Sequence, residues 1–253
     1  MIQKKSLKKS SLRRQGSHDI HWIPPPWRTG MTRGKLMYVF ITFFGLLFLS
    51  NITFGEASKA ALGSATRAIQ GLDDKLDDYR TGPNLSSEDE EYNRQLKKDI
   101  LHGTFDIREL SQQSLGSHWK DITDKERDDF VQLMTDLLEN RAILSKEQGQ
   151  KKAKSKNLYS ISYKGDKYLN AEKTRVLTRT SVYVKSEDIR VELDYKLKKI
   201  SDVWKIYDVI VDNASLGENY KFQFDSIIKK NGYAELVRRM QSRLDSLKKK
   251  NKS

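Results

Sequence analysis

The chain has 253 residues, 37% hydrophobic and 32% charged, which allows one core of ordinary domain size beside an export segment. It contains no cysteine, and this excludes disulfides, thiolate metal sites and a cysteine nucleophile. The formal net charge is +13; nine Lys/Arg and two Asp/Glu in residues 1–57 leave 38 basic and 32 acidic residues for the remainder, a mildly basic balance that favours anionic surfaces such as phospholipid headgroups or acidic partners.

Residues 1–30, with Pro24-Pro25-Pro26 and many Lys and Ser, read as a start-site extension or a disordered cytoplasmic tail, with a functional basic arm as the rival reading. Residues 31–57 have the three-part layout of a secretory signal. Arg28, Arg33 and Lys35 precede an uncharged stretch from Leu36 to Gly55, and Gly55-Glu56-Ala57 supplies small residues at its exit. The apolar heart, Leu36 to Leu49, is fourteen residues long, shorter than the roughly 20 that a membrane span needs. A cleaved signal fits that length, and an uncleaved anchor is the alternative. The folded domain is expected over residues 58–247, with 248–253 as a frayed basic tail.

Within the domain, Leu62, Ala65, Ile69, Leu72, Leu76 and Tyr79 recur at three- and four-residue steps and predict one helix face, stopped by Gly82-Pro83. Ser86 to Glu91 (SSEDEE) predicts the acidic first turn of a second helix, and lacks the loop spacing of a calcium site. Ile107, Leu110, Ser114 and Leu115 predict a short helix before Trp119. Thr123-Asp124-Lys125-Glu126 has capping-box form and opens an amphipathic run through Phe130, Leu133, Met134, Leu137 and Leu138. A Lys-rich link from Gln148 to Lys156 follows.

The apolar period then changes to two. Leu158 to Tyr163 predicts a strand, with Gly165-Asp166 as its turn. Val176, Thr178, Thr180, Val182 and Val184 form one side of a second strand. Ile189, Val191, Leu193, Tyr195 and Leu197 alternate with Arg190, Glu192, Asp194, Lys196 and Lys198, giving a third strand with one dry and one wet face. Val203 to Val211 is apolar on both sides except at Lys205 and Asp208, as expected of a strand covered on both faces. Ser215 with Glu218 is a further capping-box pair; behind it, Leu216, Tyr220, Phe224 and Ile227 line a helix, and a last helix carries Tyr233 to Leu247. Helices, about four consecutive strands, then helices indicate an α+β fold: a curved antiparallel sheet packed against several helices, with a concave side able to enclose an apolar ligand cavity.

Chemical motifs are scarce. His102 and His118 lie sixteen residues apart with no third ligand in sequence, so no metal site is expected. There is no G-x-S-x-G, no phosphate loop of the Walker type and no H-E-x-x-H. Asp128 and Asp129 fall on the polar side of their helix. Asp208, between Ile206 and Ile210, reads either as a structural acceptor for a nearby turn or as a carboxylate of burial-raised pKa. The basic runs lack interleaved aromatics, so no nucleic acid partner is expected.

Two stretches resemble the MlaC family, also called toluene-tolerance or Tol-Tol proteins. The first runs from Phe105 to Leu138 and carries Phe105-Asp106, Leu115-Gly116, Trp119, Thr123, Arg127, Phe130 and Leu137-Leu138. The second runs from Val203 to Met240 and carries Trp204, Tyr207-Asp208-Val209, Ser215-Leu216, Asn219-Tyr220, Gln223-Phe224, Gly232 and Leu236. Asn213 stands where the family usually has Gly, Lys221 where Arg follows the tyrosine, and Ala142 where tyrosine is common. The resemblance implies a monomeric, cofactor-free periplasmic carrier, not an enzyme. Such a carrier takes phospholipid between an outer-membrane lipoprotein complex and an inner-membrane ABC transporter complex, which maintains outer-membrane lipid asymmetry. It implies a deep apolar pocket, for which the candidate wall positions are Val182, Val184, Val191, Leu193 and Tyr195 on the sheet, Phe130, Met134, Leu137 and Leu138 on one helix, and Tyr220 and Phe224 on another. Two rivals stand beside it: a membrane-anchored envelope interaction module without lipid cargo, and an enzyme using Asp208 as acid or base.

Overall fold

The computed structural model describes residues 59–142 apart from Thr81 and Pro83, and residues 159–250 apart from Ser186 and Glu187. The expectations for the export segment, the Lys-rich link and the side chain of Ala142 lie outside these residues. Among the described residues four helices come first: α1 (Ala65–Asp77), α2 (Ser87–Thr104), α3 (Ile107–Leu115) and, after a 3-10 turn over Gly116–Lys120, α4 (Asp124–Ala142). Strands β1 (Tyr159–Tyr168), β2 (Arg175–Val184), β3 (Ile189–Ile200), β4 (Val203–Val211) and β5 (Ala214–Ser215) follow, then α5 (Leu216–Asn231) and α6 (Tyr233–Lys250).

Polar side chains set the helix starts by satisfying amides that have no partner within the helix. Ser64 Oγ accepts from the Arg67 amide, and Asp106 Oδ1 accepts from that of Glu109. Ser86 and Asp89 form a reciprocal capping box, as do Thr123 and Glu126. The pair expected at Ser215 and Glu218 is half formed. Ser215 Oγ accepts from the Glu218 amide at 3.0 Å, but its hydroxyl donates to Asp208, and the Glu218 carboxylate lies 3.8 Å from Lys221 Nζ.

The five strands form one antiparallel meander in the order β1-β2-β3-β4-β5. The third and fourth strands begin where the alternation predicts, and β5 is an addition. Its hairpin turns through Asp212 and Asn213, both at positive φ (45° and 68°), the conformation for which Asn is the best substitute after Gly. The turn expected at Gly165-Asp166 is instead a bulge. Pairing shifts between Tyr163 and Gly165, Gly165 takes φ 91°, and β1 continues to Tyr168. The chain reverses a few residues later, where Asn170 Oδ1 accepts from the amides of Thr174 and Arg175.

Register assigns the two faces of the sheet. Val176, Val182, Val191, Leu193, Tyr195 and Leu197 share one face, and with Ala65, Ile69, Leu72 and Leu76 of α1 they form a buried apolar cluster. The other face carries Arg179, Arg190, Glu192, Asp194, Lys196 and Lys198. A second cluster lies among α3, α4, α5 and α6, where Phe130 meets Phe224 edge-on at 5.9 Å and Phe224 stacks on Tyr220 at 5.4 Å. Phe105, at the joint between α2 and α3, packs against both clusters and bridges to Ile206, while the Asp106 amide donates to the Ile206 carbonyl at 2.7 Å.

Candidate functional site

The candidate site is the seam between α1 and the apolar face of the sheet. Helix α1 lays Ala65, Ile69, Leu72 and Leu76 on that face, where they are buried in one cluster with the sheet side chains. Among the described residues, an opening lies at the side of this seam. A groove of about 570 Å³ runs between the segment before α1, α1 itself and edge strand β1. Ala60, Ala61, Ser64, Thr66, Gln70, Ser162, Gly165 and Asp166 line it, with Ile161 and Tyr163 leading into the sheet cluster. Its size falls within the roughly 300–1,000 Å³ typical of small-molecule sites.

Polar ties hold α1 and the segment before it in place. Asp166 accepts from the Thr66 amide at 3.1 Å and hydroxyl at 2.8 Å, and from Thr178 at 2.6 Å, so a carboxylate sits beside the first turn of α1. Trp204 Nε1 donates to the Gly63 carbonyl at 2.9 Å, and the Ala60 amide donates to Gln70 Oε1 at 2.9 Å. At the other end of α1 the Tyr163 hydroxyl donates to Asp73. Burial raises the Asp73 carboxyl to about 7, its hydrogen bond from Tyr163 lowers it only in part, and the neighbouring Asp77 and Asp74 raise it further. Burial likewise pushes the Tyr163 and Tyr195 phenols well above the ordinary range. The floor of the site therefore favours uncharged forms.

The wall positions proposed from sequence divide between two places. Val182, Val191, Leu193 and Tyr195 sit together under α1, in the cluster that the groove approaches. Val184 is half-buried at the end of β2, outside both clusters. Phe130, Met134, Leu138, Tyr220 and Phe224 belong to the helical cluster, with Leu137 partly buried against it, so they pack on one another and not on the sheet face beneath α1. The groove residues Thr66, Gln70 and Asp166, and the half-buried acid Asp73, were not singled out from sequence. The bulge at Gly165 is what turns Asp166 onto the α1 side, and only a turn signal was visible there.

The other polar residues have structural partners. The side chain of Asp208 is 1% exposed and accepts from Lys196 Nζ at 2.9 Å, Ser215 Oγ at 2.7 Å and the Gly217 amide at 3.0 Å, locking the corner from β4 into α5. A Cβ on Gly217 would stand 3.4 Å from that carboxylate, and one on Gly116, at φ 57°, 3.2 Å from Lys221 Cε. The aliphatic stem of Lys221 thus covers the turn after α3. His102 meets Glu139 at 2.9 Å and His118 meets Asp225 at 3.0 Å, two separate pairs. On the charged side of the sheet, burial raises the Glu109 carboxyl. Bonds from Lys198 at 2.8 Å, Gln113 at 3.1 Å and Arg175 at 3.0 Å outweigh that effect and hold it below the usual range. This network ties α3 to β2 and β3.

No curated protein matches the chain. Among solved structures, the chain is similar to a phospholipid-binding protein from Ralstonia solanacearum, solved in complex with a phospholipid. The two are 26% identical, with a TM-score of 0.48, over 60% of this chain and 80% of that one. Residues 69–242 match the family described as MlaC protein, a stretch that runs from Ile69 within α1 through α2, α3, α4, the whole sheet and α5 into the first half of α6. The chain belongs to the MlaC family.

Proposed function

We propose that this protein is a periplasmic carrier of phospholipid that catalyses no reaction, moving lipid between an outer-membrane lipoprotein complex and an inner-membrane ABC transporter complex. Two acyl chains of about sixteen carbons lose roughly 20–25 kcal/mol of gross hydrophobic stabilisation on entering water, at about 0.8 kcal/mol per methylene, so transit needs a protein surface to replace the bilayer. The observation that carries the reading is the amphipathic helix α1 laid over the apolar sheet face, with a groove open along its side. Lifting α1 exchanges its aliphatic contacts with Val182, Val191, Leu193 and Tyr195 for contacts with acyl chains. On the groove rim the exposed Ser162 and half-buried Ser64 present hydroxyls to a headgroup left near solvent.

The test is mass spectrometry of organic extracts from protein purified under mild conditions. A co-purifying phospholipid is expected. Val182→Gln and Leu193→Gln are expected to lower bound lipid by a larger factor than they lower stability in urea, whereas substitutions in the helical cluster lower stability alone. Absence of any amphiphile, or loss of lipid and stability in parallel at every site, overturns the reading. Amino-terminal sequencing of the envelope form tests the export part. A start near Ser58 agrees with a cleaved signal over residues 31–57, and an intact leader favours the anchored module.

A further inference from the structure

Five large apolar side chains crowd one end of the sheet in full view of solvent. Leu62 is 91% exposed and Val203 52%, and Tyr168, Leu169 and Ile200 lie between 41% and 47%. Backbone geometry brings them together. Ile200 pairs with Val203 across the β3–β4 turn, the Lys199 amide donates to the Thr174 carbonyl at 2.8 Å, and the Leu169 amide donates to that of Arg175 at 2.9 Å. Trp204, next to Val203, holds the Gly63 carbonyl at 2.9 Å and so fixes Leu62 at the same end. Register puts Tyr168 and the Leu62 segment on the α1 side of the sheet, and Ile200 and Val203 on the opposite side. The result is a protruding wedge with apolar residues on both flanks.

Lysines surround the wedge. Lys167 and Lys173 are exposed, with the Lys173 ammonium 5.7 Å from the Tyr168 ring centre. Lys199 is paired with Asp202 at 2.9 Å, and Lys205 donates to the carbonyls of His102 and Gly103. Two carboxylates, Glu172 and Asp202, stand among these four lysines, so the end carries a positive excess.

We propose that this end of the sheet docks on an anionic lipid bilayer, inserting the two hairpin turns and Leu62 at the headgroup boundary. A convex apolar tip suits a deformable surface. Aliphatic side chains reach the acyl boundary, tyrosine sits at headgroup level, and lysines bend their charged ends back to lipid phosphates. A tip-to-tip pair of this chain would bring the lysines of one copy against those of the other. The chain also enters the domain at this end. Twelve residues lie between Leu49 and Leu62, a span of at most about 47 Å at up to 3.6 Å per step, so a retained Leu36–Leu49 run would hold this same end to the bilayer. The contact adjoins the groove at Leu62, whose neighbours Ala61 and Ser64 line it, but it rests on different observations and stands or falls independently of lipid carriage.

Because the chain has no cysteine, Val203→Cys and Leu169→Cys in the full chain each accept one environment-sensitive fluorophore, with Gln241→Cys on the solvent face of α6 as control. With phosphatidylcholine vesicles containing phosphatidylglycerol, both tip probes are expected to shift to the blue and to be quenched by nitroxides on the lipid chains, while the Gln241 probe stays in water. Adding Lys167→Glu and Lys173→Glu is expected to raise the half-saturating anionic lipid at least tenfold, since each lysine near such a surface is worth about fivefold. A tip probe quenched no more than the control overturns the proposal, as does a shift that grows with protein concentration without lipid. An equal response to pure phosphatidylcholine overturns the anionic assignment. A chain that docks but yields no lipid on extraction supports the docking surface and refutes the carrier.

Discussion

Asp73 holds the far end of α1 to the sheet through Tyr163, and Asp73→Asn tests how that latch works. The substitution keeps an oxygen that accepts from the Tyr163 hydroxyl and removes the ionisable group. In the folded protein the carboxyl is raised from 3.8 to about 7, mainly by burial. The folded chain therefore binds a proton more readily than the unfolded chain between those values, and stability falls as pH rises from about 4 to about 7, then levels off. At 1.36 kcal/mol per unit the full effect is at most about 4 kcal/mol above pH 8, and the exposure that the residue keeps reduces it to about 2 kcal/mol. Urea unfolding of both proteins near pH 5 and near pH 8 is the assay. The stability of Asp73→Asn minus that of the wild type is expected to rise by about 1–3 kcal/mol across that interval. Lys97, which burial lowers to about 7, titrates in the same window but is common to both proteins and cancels in the difference. A difference that is flat with pH, or that falls, refutes the assignment of a neutral carboxyl beneath α1.

Two further outcomes follow from the packing. Phe224→Ala removes a ring held by Phe130 and Tyr220 in the helical cluster, and a cost of about 3–5 kcal/mol is expected from urea midpoints, with bound lipid per folded molecule unchanged. A cost below about 1 kcal/mol would mean that the helical layer is not a close-packed core. Asp208→Ala leaves the Gly217 amide, the Ser215 hydroxyl and Lys196 without their acceptor, and about 3 kcal/mol of stability is expected to be lost. Asp208→Asn, which retains one acceptor oxygen, is expected to lose less, and equal losses from the two would rule out the hydrogen-bonded corner.

Local chemistry was legible wherever neighbours in sequence decide the structure. Ser86 and Thr123 start helices because their side chains reach amides three residues ahead. Ile189 to Leu197 alternates because one face of β3 is covered and the other meets water. The Asp212-Asn213 turn into β5 was not marked by the alternation, although both residues tolerate positive φ. The order of short marks from Phe105 to Met240 was enough to point to the family. Tertiary structure decided the rest, since it depends on partners far apart in the chain. Periodicity shows that Phe130 and Val182 are both apolar and inward, but not that they belong to separate clusters meeting at Phe105. Asp73 meets Tyr163 across ninety residues, and Thr66 meets Asp166 across one hundred. A single extra residue at the β1 bulge sets which side of the sheet Asp166 faces. Alternation records which residues leave water; which of them meet depends on strand register and on where a helix is laid, and both are settled only when the whole core closes.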